Sequence, residues 1–425
     1  MLEEPGNRNI QSHIHRFGYI VNERGGSVRR SILLALMAVL ALPAVAANQI
    51  TVDGLEKALV ADSAAHRPGA EVAQELSGMA LTERLSSARL LRLNANLTDE
   101  RARQALVALA DSSQFLDPPQ AEIAAISTPT PGEMRRMLVS VVNYVNTTIR
   151  QLPNFIAERE TTSFEDRPQE DLEGETGYTN LTYQPLAVVN RSSVPVAYRD
   201  GHEVVGEKAA QDKKSEPQLP GLVTNGVFGP ILSTVLGDAL KGKITWGRWE
   251  LGANGAEAAF QYEVAKDKSH YAVGICCASS GSNSGANQQS DWRSYGELVA
   301  YHGEIGFDPA SGAILRIMLE AEMPPNEAVS TADTMVEYGA VEIGGKSYIC
   351  PLRSVSIQMA HAAQPAMGMH AVAGSKVAAK TFLNDVSFGQ YRKFGSETRI
   401  VVGNSGESGS NSLGPGATDN ATPSR

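Results

Sequence analysis

From Leu298 to Phe307 the side chains alternate. Val299, Tyr301, Ile305 and Phe307 fall on one face with Gly303 between them, and His302 and Glu304 fall on the other. A period of two marks a half-buried strand. Asp308-Pro309-Ala310-Ser311-Gly312 has the composition of a tight turn, Asp and Pro to start it and Gly to supply positive φ. Alternation resumes from Ala313 to Met323, with Leu315, Ile317, Leu319 and Ala321 against Arg316, Glu320 and Glu322. This predicts a hairpin with one dry and one wet side. A second hairpin, 335–343 with 346–359, turns at Gly344-Gly345, a pair suited to a primed turn. Together the four strands predict an antiparallel meander.

The same reading applied along the chain predicts short helices over 51–115. Thr82 and Thr98 are expected to cap two of them, and Ala102, Ala105, Leu106 and Leu109 recur at helical spacing. The Pro-, Ser- and Thr-rich residues 117–132 read as a linker. Pro131 opens a helix to about Leu152 with Met134, Met137, Leu138, Val141 and Val145 as its stripe. Strands follow at 155–157, 181–189, 194–198, 244–250, 258–264, 271–277 and 382–391. One helix interrupts them at 229–241, with Phe228, Ile231, Leu232, Val235, Leu236 and Ala239 as its apolar face. The acidic run 158–177, the charged run 207–219, and the small-residue stretches 278–291 and 360–376 read as loops. The fold class expected is α+β: a helical region over 48–152, then a large curved antiparallel sheet, an incomplete barrel, over 153–402 with a packing helix at 229–241. Residues 403–425, rich in Gly, Ser and Asn, read as a disordered tail.

Charge and composition narrow the partners. The chain of 425 residues has net charge −10. Its first 46 residues hold five Arg and three Glu, so the remainder is more acidic, at −12. That balance argues against nucleic acid, whose phosphates need clustered Lys and Arg. Arg29-Arg30, the apolar run Ile32–Leu42 and Pro43-Ala44-Val45-Ala46 predict a signal peptide over 1–46, with residues 1–28 lying unusually far upstream. The apolar run is shorter than the roughly 18 residues of a membrane span. The mature chain is therefore expected in the periplasm or secreted, with no transmembrane span. In an oxidising compartment Cys276 or Cys277 could bridge to Cys350 across the sheet; the other reading is three buried small apolar residues.

Chemical motifs are mostly absent. Gly281–Gly285 has Asn283 where a nucleophile elbow needs Ser, and His202-Glu203-Val204-Val205-Gly206 lacks a zincin's second His. No Cys/His set has zinc spacing, and no cofactor is indicated. His302 and Glu304, two apart on one strand face, could serve as base and partner; the other reading makes them solvent-facing positions. The aromatic set is more suggestive: Trp246 or Trp249, Phe260, Tyr262, Tyr271 and Tyr301 recur on neighbouring strands. On one face they predict either ordinary core under the helix 229–241 or a concave site for a lipophilic ligand with that helix as a plug. The function expected is a non-enzymatic exported protein holding a lipid, lipopeptide or protein segment. The alternatives are a hydrolase using the His302/Glu304 face and a scaffold docking a partner on its helical region.

Several phrases carry a family resemblance: Phe260-Gln261-Tyr262, Tyr301-His302-Gly303-Glu304-Ile305, the Phe307–Gly312 turn, Ile314-Leu315-Arg316-Ile317 and Val341-Glu342-Ile343-Gly344-Gly345-Lys346. In this order, over roughly 150–400, they resemble the lipoprotein-carrier fold shared with the N-terminal domain of a sigma-factor regulator. The resemblance implies an incomplete antiparallel barrel that holds acyl chains, with helices across its open side. The extra helical segment before it has no counterpart in the small carriers.

Overall fold

The structure, a computed structural model, describes residues 48–148, 151–167, 170–174, 177–181, 183–205, 227–279, 292–324, 329–361 and 379–394. The signal-peptide reading and the tail at 403–425 fall outside these residues. Gln49–Arg425 is one compact unit. No helix among the described residues is long and apolar enough to cross a membrane.

Four helices open the unit: α1 (Val52–Ala64), α2 (Gly69–Ser77), α3 (Ser87–Asn96) and α4 (Glu100–Ser112). Beside them β1 (Asn48–Ile50) pairs with β2 (Met79–Leu81). Their apolar stripes close a small core of their own around Val52, Leu55, Leu76, Leu85 and Leu106. The capping differs from the expectation in detail. Asp99, not Thr98, caps α4, its carboxylate accepting from the Arg101 and Ala102 amides at 2.8 and 3.1 Å. Thr82 caps nothing; its hydroxyl and amide turn back to the Ile50 carbonyl. After the linker, α5 spans Pro131–Thr148.

The sheet strands are β3 (Phe155–Arg167), β6 (Gln184–Arg199), β7 (His202–Val205), β8 (Lys243–Gly252), β9 (Gly255–Val264), β12 (Ala300–Phe307), β13 (Ile314–Glu322), β14 (Val329–Ile343), β15 (Lys346–His361) and β16 (Ala379–Lys393). They form one curved antiparallel sheet in the order β7-β6-β3-β16-β15-β14-β13-β12-β9-β8; β7 and β8 are its two edge strands and do not pair with each other, so the sheet is not closed into a barrel. The expected meander is its centre, β12 to β15. Gly344 and Gly345, at φ 60° and 79°, make the primed turn that a side chain would strain. Two hairpins stand apart: β4 (Glu170–Gly174) with β5 (Gly177–Leu181), and β10 (Ala272–Ser279) with β11 (Trp292–Leu298).

Three expectations need correction. The acidic stretch 158–177 is not a loop: most of it is β3 and the β4–β5 hairpin. β3 lies between β6 and β16, so its polar residues are committed to the ladder whatever their charge. Residues 184–189 and 194–198, expected as parts of two strands, belong to a single strand, β6, while Leu181 ends β5. The wet side of the meander is only partly wet. The described helices cover both faces of the sheet: α6 (Pro230–Lys241) and α5 pack on the inner face, and Ala108 of α4 packs on Phe164 and Leu383 of the outer face. His302 stays half-exposed, but Glu304 is buried under the helical layer.

Candidate functional site

The inner face gathers the six aromatic positions singled out by sequence. Phe260, Tyr262 and Tyr301 are buried, and Trp246, Trp249 and Tyr271 pack half-buried against the same core. Ring centroids link Trp249 to Trp246 at 4.9 Å, Trp246 to Phe260 at 5.3 Å, Tyr262 to Tyr301 at 5.7 Å and Tyr301 to Tyr271 at 5.4 Å. Strict alternation would let only one tryptophan face inward. Both do, because Gly247 is an extra residue in a bulge: Trp246 pairs with Phe260, and Trp249 with Ala258. A side chain at 247 would press on the Ala259 carbonyl at 2.9 Å. The Trp249 indole N–H donates to the Ser127 carbonyl at 3.0 Å, which ties the linker along the β8 edge.

α6 lies against β8 and β9 and buries Leu232, Val235, Leu236 and Ala239 in this aromatic field, with Phe228 just before its start. One residue on that face is charged. Asp238 is 2 % exposed. Its carboxylate accepts from the His270 amide at 2.8 Å and the Tyr301 hydroxyl at 3.1 Å, and the His270 ring Nδ1 lies 2.6 Å away. Burial first, then the Asp238 charge, pushes the Tyr301 phenol far up, so it remains a donor.

Register carries the inner face further than the sequence suggested. Tyr262, Gly303, Leu319, Thr334, Ser356, Asn384 and Ser163 stand opposite one another in a row across seven strands. The row is apolar toward β9 and polar from β14 to β3. Arg159, Thr161, Ser354 and Gln358 are buried polar residues of the same face. The β3 part of this half is not legible in the sequence, because 158–177 reads as a loop. The signal was present: after Phe155 and Ala157 the inward positions continue as Arg159, Thr161 and Ser163.

The outer face does not bring His302 and Glu304 together as base and partner. The His302 ring is 47 % exposed and lies 3.5 Å from Glu322 and 3.9 Å from Glu320. Glu304 meets Arg248 at 2.8 Å, Arg316 at 3.8 Å and Arg84 at 3.9 Å. Arg84 also pairs with Glu250. Burial, which outweighs Arg248 and Arg84, pushes the Glu304 carboxyl up to about 7. These groups clamp the helical layer to the sheet.

A half-open cleft of about 590 Å³ lies at the hairpin end of the sheet, between Tyr144 of α5, Glu257, Asp308, Ser311 and Tyr348. None of the six aromatic residues lines it, and neither does His302. Cys350 is a free, buried thiol, pushed up to about 12 by burial, in the environment of a small apolar residue. The side chains of Cys276 and Cys277 lie outside the described residues. Among the described residues no group of three or more His, Cys, Asp or Glu could hold a metal ion. Comparison with family models, curated proteins and solved structures finds no match.

Proposed function

We propose that this is an exported, non-enzymatic binding protein whose inner sheet face holds the apolar part of a lipid, lipopeptide or protein segment, with α6 as the plug the ligand displaces. The observation that carries the reading is the gathering of Trp246, Trp249, Phe260, Tyr262, Tyr271 and Tyr301 on one core under one short helix. That helix is held there by a polar contact as well as by packing. Baring five apolar side chains of the α6 segment to water would cost about 10 kcal/mol at roughly 2 kcal/mol each. Burying an acyl chain of about 12 carbons returns a similar amount at ~0.8 kcal/mol per methylene. Exchange of helix for chain is thus close to balanced, as reversible loading requires. The resemblance to lipoprotein carriers supports the same reading.

The test is to purify the protein from the periplasm without detergent, extract it with organic solvent and identify what is released by mass spectrometry. A near-stoichiometric amphiphile, replaceable by a fluorescent fatty acid that quenches tryptophan emission, is expected. An empty protein that takes up no amphiphile would overturn the reading.

A further inference from the structure

The aromatic field accounts for only half of the inner face. The polar half has open hydrogen-bonding capacity. Arg159 is 6 % exposed, Ser163 fully buried and Gln358 1 % exposed. Among the described residues, Nε and Nη1 of Arg159, Oγ of Ser163 and both polar side-chain atoms of Gln358 have no hydrogen-bond partner. Polar groups so placed are costly unless something completes them, and an unpaired buried guanidinium is the costliest of these. The chain offers no counter-ion nearby on β3: by alternation Glu158 and Glu160 face outward, and Glu158 accepts from Ser193 on that side. Glu165, which does face inward, is paired with Lys380.

The charge is also well placed relative to the apolar half. Arg159 stands opposite Phe388, whose ring is 5.2 Å from Phe228 at the start of the α6 segment. Thr161 and Ser163 continue from it along β3, and Ser163 stands opposite Asn384. The planar fork of a guanidinium matches carboxylate or phosphate oxygens, and hydroxyl and amide groups complete such a site by hydrogen bonds.

We propose that Arg159, with Thr161, Ser163 and Asn384 beside it, is the headgroup site of the inner face, and that the ligand is an anionic amphiphile. Its carboxylate or phosphate sits on Arg159 and its apolar chain lies on the aromatic side. This rests on the binding reading above and adds the sign of the ligand's charge.

The experiment compares the full protein and its Arg159→Met variant for binding of laurate, dimyristoyl phosphatidylglycerol and the uncharged monolaurin. The native protein is expected to bind laurate, the phosphatidylglycerol or both at least about tenfold tighter than monolaurin, and which of them it prefers separates carboxylate from phosphate. Arg159→Met abolishes that preference, leaves monolaurin binding within about twofold, and melts at the same or a higher temperature, since it removes an uncompensated charge. Arg159→Lys keeps the preference. Equal binding of charged and uncharged probes by the native protein would overturn the inference, as would a preference that survives in Arg159→Met. A lower melting temperature for Arg159→Met would also count against it, by showing the guanidinium to be structural. If none of the three probes binds, the binding reading itself fails.

Discussion

Asp238 of α6 accepts a hydrogen bond from the Tyr301 hydroxyl of β12 at 3.1 Å, inside the apolar field where the helix meets the sheet. With the His270 amide on the same oxygen at 2.8 Å, this carboxylate is the polar fastening of the plug. Asp238→Ala would strand the Tyr301 hydroxyl in the core and free the His270 amide at its margin, and is expected to lower stability by about 2–4 kcal/mol in urea unfolding. Amide exchange should quicken in 230–241 more than in β12. Equal acceleration in both would mean that Asp238 supports the whole core rather than the helix.

Arg353 of β15 joins the helical layer to the outer sheet face. Its guanidinium pairs with the fully buried Asp111 of α4, with Asp385 at 2.9 Å and with the Ser87 hydroxyl at 3.1 Å. Burial raises the Asp111 carboxyl well above its usual range, against the pull of Arg353. Arg353→Met leaves that carboxylate alone and should cost roughly 3–5 kcal/mol, whereas Arg353→Met with Asp111→Leu should recover most of it. Limited proteolysis is expected to cut the single variant in the linker 117–130 first. Loss of the sheet without prior linker cleavage would show that the helices are inseparable core.

Legibility in the sequence followed the distance over which each feature is decided. Tyr301, Ile305 and Phe307 were readable because strand period is local. The turn at Gly344-Gly345 was readable because glycine is needed where φ is positive. Trp246 and Trp249 on one face were not, since the bulge at Gly247 depends on pairing with β9. Arg159, Thr161 and Ser163 were missed because their charge and polarity read as solvent, and only the flanking strands β6 and β16 make β3 central. The burial of Glu304 depends on the clamp residue Arg84, whose partner Glu250 is 166 positions away, beyond any local pattern.

Stability should depend on pH through the raised carboxyls, Glu304 and Asp333 among them. Burial pushes Glu304 up to about 7; burial and then Glu320 push Asp333 up to about 7. Both groups then hold protons in the folded state at pH values where the unfolded chain has lost them. The folded state therefore binds more protons, and stability falls as pH rises from about 4 to about 7, then levels off. The two groups together are worth several kcal/mol at most, at about 1.4 kcal/mol per unit. Urea midpoints measured from pH 4.5 to 8 should decline across this window, and Asp333→Asn should reduce the slope. A midpoint that climbs with pH throughout would contradict the burial of both groups.

Gly303 is the position in β12 where no side chain fits. A Cβ there would overlap the Met318 carbonyl and come within 2.8 Å of the Tyr262 hydroxyl, which itself donates to that carbonyl at 2.7 Å. The small residue and the buried hydrogen bond are thus one device, and they set how closely Tyr262 lies over the centre of the sheet. Gly303→Ala should cost about 2–4 kcal/mol by overpacking and by displacing the phenol. Tyr262→Phe alone should cost about 1 kcal/mol for the lost bond. Because both changes break the same contact, the double variant should be less destabilised than the sum by about 0.5–1 kcal/mol. Strict additivity in denaturant unfolding would show that the alanine is accommodated by a shift of β13 that leaves the Tyr262–Met318 bond intact.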